Sequence, residues 1–576
     1  MTTHNVVATI REVSKSFSDN LVLSDISAQV CSGVLTGLVG PDGAGKTTLI
    51  RMIAGLLAPD QGTIEIIGKD SVEYHEQLAE HVGYMPQRFG LYEDLSVMEN
   101  MQLYACLRGI EASKQPALFA ELLKFTRLQP FTKRLAGNLS GGMKQKLGLA
   151  CALMAKPRLL LLDEPGVGVD PLSRQDLWAM VDKLLDDGMA VVWATAYLDE
   201  AEQCDQVLLL NQGSLLYSGK PEQLTVRLAQ RSYKLQNVYD KRRIVLRDLL
   251  DMPFSSDGVI QGQAVRAVLK DASQRDQLAQ FAKQEQAELV ACLPRFEDAF
   301  IDLLGGAPSG RSELAEKMDH ISQELQDVVE CRNLSKKFGH FTATDDVSFS
   351  VQRGEVFGLL GPNGAGKSTT FKMLCGLLSV TSGSAKVAGV NLATASKQAK
   401  MQLGYMAQKF SLYSLLSVKQ NLDFSAGVYG LTGKVKKQRI TDMVETFHLQ
   451  PYLNNCPDDL SLGYRQRLAL ACAVMHWPKV LFLDEPTSGV DPITRREFWT
   501  HINGFVAKGM TVMVTTHFMD EAEYCDRIAL MYRAKLIALD SPDNLKRCWR
   551  TKENPDPTME HAFIKLIEKE DENDGE

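Results

Sequence analysis

The sequence predicts an α/β protein with two similar domains in tandem, each built on a largely parallel sheet, and a small α+β domain inserted between them. Three observations lead there. "GLVGPDGAGKTTLIRMIAGLL" (37–57) returns as "GLLGPNGAGKSTTFKMLCGLL" (358–378). Lys46 and Lys367 stand 321 positions apart, and the same offset relates Gln87 to Gln408, Ser140 to Ser461, Glu164 to Glu485 and Ala196 to His517. An offset held this long means two copies of one domain. Within each copy, β-rich apolar runs alternate with helical stretches, the pattern of a parallel sheet with crossover helices. Finally, "LLLLDE" (159–164) and "VLFLDE" (480–485) are continuous apolar runs, as strands buried on both faces should be.

With 576 residues the chain is too long for a single core. The first copy is placed at 5–228 and the second at 327–547. Between them, 229–306 reads as a small accessory domain of β-α-β-α type: "SYKLQNV", a helix "YDKRRIVLRDLLDM", a strand region "GVIQGQAVRAVL" and a helix "SQRDQLAQFAKQEQAEL". Residues 307–326 are a linker, and "GGAPSG" (305–310) looks flexible. "PRFEDAFIDLLGG" (294–306) resembles "TMEHAFIKLIEK" (558–569), so each copy ends in a similar helix. Residues 548–576 then form a C-terminal helix and a frayed acidic tail, "EKEDENDGE".

Composition narrows the class. Apolar residues make up 45% and charged residues 23%, an ordinary globular balance. A net charge of −8 argues against a generally basic nucleic-acid binder. Eleven cysteines without a CxxC pair point to a reducing compartment rather than a disulfide framework. No signal peptide is evident, and no run of 18 apolar residues occurs; the richest window, 147–162, is broken by Lys156, Pro157 and Arg158.

The repeated glycine-rich stretch is GxxxxGK[ST], a phosphate-binding P-loop in both copies. Its glycines let backbone N–H groups curl round phosphates, its lysine meets their charge, and its hydroxyl residue holds Mg²⁺. The candidate nucleotide-binding residues are Gly40, Pro41, Asp42, Gly43, Ala44, Gly45, Lys46, Thr47 and Thr48 in the first copy. In the second they are Gly361, Pro362, Asn363, Gly364, Ala365, Gly366, Lys367, Ser368 and Thr369. The helix that follows each loop adds its dipole. Asp163 and Asp484, at the ends of the apolar strands, would support Mg²⁺ together with Thr47 and Ser368. Glu164 and Glu485 would polarise the attacking water.

"LSGGMKQK" (139–146) and "LSLGYRQR" (460–467) precede those strands. With "YMPQ" and "YMAQ", the P-loops and "LDEP", they make the chain resemble the ATP-binding-cassette (ABC) ATPases over about three quarters of its length. The resemblance implies two cassettes paired head to tail as an internal pseudo-dimer. Each ATP would lie between the P-loop of one cassette and the signature of the other, namely Ser140, Gly141 and Gly142, or Ser461 and Gly463. It implies that Gln87 and Gln408 touch Mg²⁺ and report to a membrane partner. It further implies that Phe17 and Phe338 stack on adenine, and that His517 is the switch histidine at the γ-phosphate.

The resemblance also divides the departures between two composite sites. The site on Lys46 and Glu164 combines Ala196 in place of histidine, Leu462 in place of a signature glycine, and Asp42 where the other copy has Asn363. The site on Lys367, Glu485, Gln408 and His517 is nearly intact. Met143 stands for the usual glutamine in its signature, and "GVGVD" (166–170) differs from "TSGVD" (487–491). The expectation is one hydrolysing site and one that binds ATP but turns over slowly.

Two functional classes compete, a membrane exporter's motor and a soluble tandem ABC ATPase acting on ribosomes or nucleic acid. The second kind carries a basic inter-cassette arm. Residues 221–330 instead hold 14 Lys/Arg against 18 Asp/Glu, wrong for a nucleic-acid partner. "LYEDLSVMENMQLYACLRGI" (91–110), "LYSLLSVKQNLDFSAGVYGL" (412–431), "GVDPLSRQDLW" and "GVDPITRREFW" resemble ABC-2-type exporter ATPases. That resemblance implies two separate ABC-2-type permease subunits as partners and a place at the cytoplasmic face of a bacterial inner membrane. ATP and Mg²⁺ are the expected cofactors, and drug or ion efflux the expected task.

Overall fold

A computed structural model describes residues 5–574, apart from 19, 88–89, 322–325, 409–410, 517, 553 and 555; the side chains of 395–398 and 573–574 are likewise not described. The chain divides into two compact units. One runs to Leu228 and takes in Pro294–Phe300 and Gly489–Pro492. The other comprises Ala229–Leu293, Ile301–Ser488 and the remainder from Ile493.

In the first unit the central sheet has six strands, in the order Ser214–Gly219, Gln206–Asn211, Leu35–Val39, Ala190–Thr195, Leu159–Asp163 and Val82–Met85. All neighbours are parallel except the first pair. The three middle strands are buried along their whole length, which is why their sequences are continuously apolar. A second, antiparallel sheet is formed by Val6–Phe17, Asn20–Cys31, Gln61–Ile66 and Lys69–Asp70. Period-2 alternation in those segments buries one face only, so they form a separate layer rather than extending the parallel sheet. Ile10, Leu23, Leu38, Ile50, Leu161 and Val192 fill the space between the layers.

The second unit repeats this plan. Its central strands follow the order Leu403–Met406, Val480–Asp484, Thr511–Thr516, Val356–Leu360, Arg527–Tyr532 and Lys535–Asp540. Phe371 meets Phe482 edge to face in its core, with ring centroids 5.4 Å apart.

The inserted segment has one hairpin more than its sequence suggests. "GVIQGQAVRAVL" is two strands, Ser255–Gln261 and Ala264–Leu269, reversed at Gly262 (φ 58°), and Glu288–Ala291 adds a fourth. With Ser232–Gln236 they form one antiparallel sheet, backed by helices Arg242–Leu250 and Arg275–Gln284. This is a β-α-β-β-α-β split unit rather than β-α-β-α. The apolar residues flank the reversal on both sides, so they read as one run.

Within the second unit this small domain is locked to the cassette. The Arg242 guanidinium pairs with Asp526, Arg243 reaches the same carboxylate at 2.6 Å, and Asp257 and Arg496 form a buried pair at 3.0 Å. "GGAPSG" is also packed: Ala307 N–H donates to the Ser256 carbonyl at 2.8 Å, and a Cβ on Gly310 would stand 2.6 Å from the Arg247 carbonyl. The acidic tail is helical to Asp574 in Met559–Asp574, where Asp571 accepts from Tyr532 and pairs with Arg533 at 2.9 Å. Each cassette ends against a helix with buried phenylalanine: Phe296 and Phe300 in the first, Phe563 in the second.

Candidate functional site

Each central sheet places Leu35–Val39, Ala190–Thr195 and Leu159–Asp163, or Val356–Leu360, Thr511–Thr516 and Val480–Asp484, side by side and parallel. Their carboxyl ends therefore converge, and loops leaving a parallel sheet at that edge form the natural ligand crevice. The P-loops and the Asp-Glu pairs leave from this edge in both cassettes, and so does Ala196 in the first. His517 itself lies outside the described residues.

The two P-loops share one geometry. Gly45 (φ 100°) and Gly366 (φ 97°) sit left-handed at the helix start, where a Cβ on Gly45 would stand 2.5 Å from the Leu23 side chain. Helices Lys46–Ile53 and Lys367–Leu374 follow. Lys46 Nζ donates to the Gly40 and Pro41 carbonyls at 2.8 and 3.1 Å, and Lys367 Nζ to those of Gly361 and Pro362 at 2.7 and 3.1 Å. Lys46 also lies 3.6 Å from Glu164. Both ammonium groups are thus held over the loop, and that of Lys46 lies beside the carboxylate that would orient water.

Thr47 Oγ1 donates to Asp163 at 3.1 Å, and Ser368 Oγ to Asp484 at 3.2 Å. Burial raises the pKa of both aspartates, and the adjoining Glu164 or Glu485 charge adds to the effect. Gln87 Nε2 donates to Glu164, and Gln408 Nε2 to Glu485 at 2.8 Å. Hydroxyl, carboxylate and amide oxygens grouped this way suit Mg²⁺, a hard cation that accepts oxygen donors. The nucleotide's own phosphates would complete its shell, which fits a protein set this small.

Both glutamates have positive φ, 52° for Glu164 and 49° for Glu485. A non-glycine residue rarely adopts this region, and such strain concentrates at functional positions. It is held by the neighbouring strand: Glu164 N–H donates to the Ala194 carbonyl at 2.9 Å, and Glu485 N–H to that of Thr515 at 3.1 Å.

Here the cassettes part at a position the sequence reading passed over. Thr515 Oγ1 donates to Asp484 at 2.6 Å and accepts from Glu485 N–H at 2.9 Å. Its counterpart is Ala194, which has no hydroxyl. The signal was available, because "WATAY" aligned with "VTTHF" differs here as well as at Ala196.

The "GVGVD" departure also has a structural cause. In the second cassette the Thr487 hydroxyl donates to Glu521. In the first, Glu200 turns instead to Trp193, whose Nε1–H donates to it at 2.8 Å, and Trp193 stacks on Trp178 with centroids 4.2 Å apart. A Cβ on Gly166 would lie 2.8 Å from Glu200 Cδ and nearer still to Oε1, so only glycine fits. Burial pushes the Glu200 pKa up to about 7, against the opposing pull of Arg174. The first unit's Gly489 N–H donates to the Tyr197 hydroxyl at 3.1 Å.

Ser140 and Ser461 cap their helices, accepting from Met143 and Tyr464 N–H at 3.3 and 3.5 Å. Gly141 and Leu462 open those helices, and Leu462 is half-buried. A Cβ on Gly142 would meet Ser173 Oγ at 2.5 Å, whereas one on Gly463 would have only ordinary contacts with Thr494. Phe17 and Phe338 are about half exposed at strand ends, so neither is core packing.

The ABC transporter family model matches residues 23–167 and 344–488. The chain is 55% identical over 98% of both lengths to the "Probable multidrug ABC transporter ATP-binding protein YbhF" of Escherichia coli K12. It is also 33% identical to the "Nod factor export ATP-binding protein I" of Rhizobium etli, over 51% of this chain and 92% of that one. To the "Linearmycin resistance ATP-binding protein LnrL" of Bacillus subtilis it is 36% identical, over 38% and 70%.

Proposed function

We propose, for a chain that belongs to the ABC transporter family and carries its ATP-hydrolysing domains, that it is the motor of an ABC-2-type exporter and that its two ATP sites are unequal. The single observation that carries the motor reading is the duplicated constellation of P-loop, Asp-Glu pair and glutamine, in a chain similar over its full length to a multidrug transporter's ATP-binding protein.

Exposed apolar side chains beside the glutamine loops support a membrane partner. Tyr92 and Leu107 in the first cassette, and Tyr413, Leu415 and Phe424 in the second, face outward next to helices Val97–Leu107 and Val418–Val428. Such patches suit the short helices of a permease subunit. Two separate permease subunits would seat one on each cassette, at the cytoplasmic face of the inner membrane. No helix among the described residues is long and apolar enough to cross a membrane. Relatives named for Nod factor export and for linearmycin resistance support an export task, with the cargo chosen by the permeases.

In hydrolysis, the Lys367 ammonium and the loop N–H groups hold the phosphates, and Glu485 orients the attacking water and draws on its proton. Bound at Ser368, Gln408 and Asp484, Mg²⁺ supplies neutralisation of phosphate charge. The site on Lys367 and Glu485 is the engine, because Thr515 and His517 complete it. The site on Lys46 and Glu164 binds ATP and turns over slowly, with Ala194 and Ala196 in those places and Leu462 crowding the signature that the family pairing assigns to it. Loss of one transition-state donor costs about 10²–10³ in rate. The test is steady-state ATPase activity of Glu485→Gln and Glu164→Gln separately. Near-complete loss in the first and a small loss in the second are expected; equal losses would refute the asymmetry. Pull-down from solubilised membranes tests the motor reading, with co-purified ABC-2-type permeases as the expected result.

A further inference from the structure

The loop that follows each strand-end glutamate carries a glycine at the same place, Gly168 after Glu164 and Gly489 after Glu485. Both glycines are left-handed, at φ 72° and 75°, so the two loops turn alike. The hydroxyls that hold them differ. The Thr487 hydroxyl donates to Glu521, and the Gly489 N–H donates to the Tyr197 hydroxyl at 3.1 Å in a buried setting. The counterparts of Thr487 and Tyr197 are Gly166 and Phe518, neither of which has a hydroxyl.

Tyr197 belongs to the turn that follows Ala196, and it is only 1% exposed. Its N–H donates to Thr195 Oγ1 at 2.9 Å, and the Phe518 N–H makes the same bond to Thr516 Oγ1 at 2.9 Å. The turn is therefore built alike in both cassettes and carries an aromatic ring in each. One oxygen atom separates tyrosine from phenylalanine here, and in the first cassette that oxygen accepts from a backbone N–H four residues beyond Glu485.

This bond lies within the first unit, to which Gly489–Pro492 belongs, and Val490 beside it is fully buried. Along the chain, the same loop begins at Glu485, whose positive φ of 49° persists only while its surroundings fix it. Thr515 holds the Glu485 N–H at the start of the loop, Thr487 bonds Glu521 in the middle, and Tyr197 holds Gly489 at the end. A small misplacement of a group that orients a reactant lowers the rate without weakening substrate binding.

We propose that Tyr197 is a positioning residue for Glu485. The hydroxyl of a tyrosine next to Ala196, in the cassette with the slow site, fixes the loop that aims the water-orienting carboxylate of the other site. The inference rests on the reading that the Lys367 and Glu485 site is the engine. It makes the rate of that engine depend on a side chain of the first cassette, one that touches neither Glu485 nor its P-loop.

Tyr197→Phe removes the hydroxyl alone, and Phe518 shows that this turn accepts phenylalanine. Steady-state ATPase kinetics of the full-length protein test it in the parent and in Glu164→Gln. In both backgrounds kcat is expected to fall by the same factor, about three- to tenfold for one hydrogen bond, with little change in KM for ATP. An unchanged kcat in the parent would overturn the proposal. So would a raised KM at constant kcat, which would place the hydroxyl in nucleotide binding, or an effect confined to the parent, which would place it on Glu164. Loss of activity on Glu164→Gln alone would refute the unequal sites instead, and the parent arm would then decide for Tyr197.

Discussion

Restoring the second cassette's threonine to the first, Gly166→Thr, should be strongly destabilising, and the cause can be worked from three side chains. The new Cβ would stand 2.8 Å from Glu200 Cδ, inside any real contact distance. Glu200 is fully buried and has little room to yield. Forcing it aside strains a packed core, typically at about 1–3 kcal/mol. It also parts the carboxylate from Trp193 Nε1–H, now 2.8 Å away, leaving a buried donor unpaired at about 1–3 kcal/mol more. The sum is about 2–6 kcal/mol, or roughly 5–20 °C in Tm for a domain of this size. The assay is a double-mutant cycle with Glu200→Ala, read by thermal unfolding. Glu200→Ala removes the obstacle, so Gly166→Thr should cost much less in that background, with a coupling of about 1–3 kcal/mol. Additive effects, or a Gly166→Thr protein as stable as the parent, would show that the glycine is not there to admit Glu200.

Thr515→Ala should lower kcat about tenfold or more with little change in KM for ATP, because it removes the hydroxyl that bonds both Asp484 and the Glu485 N–H; steady-state kinetics checks it, and an unchanged kcat would deny Thr515 a positioning role. Asp257→Ala should cost about 3–5 kcal/mol by leaving Arg496 charged and buried, while Asp257→Leu combined with Arg496→Met should cost far less; denaturant unfolding of the two variants decides this. Glu200 predicts a pH effect. Its folded pKa of about 7 exceeds the ordinary 4.5, so the folded state binds its proton more tightly and the contribution is complete below about 4.5. That contribution is lost as pH rises through about 7. The Tm of the parent should therefore fall relative to Glu200→Gln between pH 5 and 8, and parallel curves would contradict the buried carboxyl.

Much of this was legible in the sequence, and the reasons are local. GxxxxGK[ST] fixes a loop whose geometry depends on few residues, so both P-loops and their Thr47 and Ser368 contacts follow from the pattern. Buried parallel strands announce themselves as apolar runs, and Asp163 and Asp484 end theirs as read. Three features were less legible because they depend on long-range packing. The hairpin at Gly262 is hidden because both of its strands are buried and apolar residues flank the reversal on either side, Val259 and Ile260 before it and Ala264 and Val265 after it, so they read as one run. "GGAPSG" has a linker's composition, yet the lack of side chains there is what permits close approach to Ser256 and Arg247. The tail "EKEDENDGE" carries enough charge to suggest fraying, but Asp571 finds Tyr532 and Arg533 and the helix continues.

Several differences between the cassettes fall together at one strand end. Trp193, Ala194 and Ala196 replace Val514, Thr515 and His517 within four positions, and Gly166 answers Trp193 by yielding space to Glu200. Here the loss of the Thr515 hydroxyl that bonds Asp484 and the Glu485 N–H coincides with a rebuilt apolar and aromatic support, in which Trp178, Trp193 and Glu200 form one packed and hydrogen-bonded set. The first cassette thus lacks the Thr515 hydroxyl and carries this aromatic support in its place, which is what the proposed slow site requires. Its lysine still bonds the P-loop carbonyls and its Thr47 hydroxyl still bonds Asp163, as their siblings do, while Asp163 lacks the second hydroxyl that Asp484 receives from Thr515. Under the proposed reading, a site that keeps its P-loop, Thr47, Asp163 and Glu164 but lacks the counterparts of Thr515 and His517 would hold ATP as a structural ligand while the other burns it as fuel.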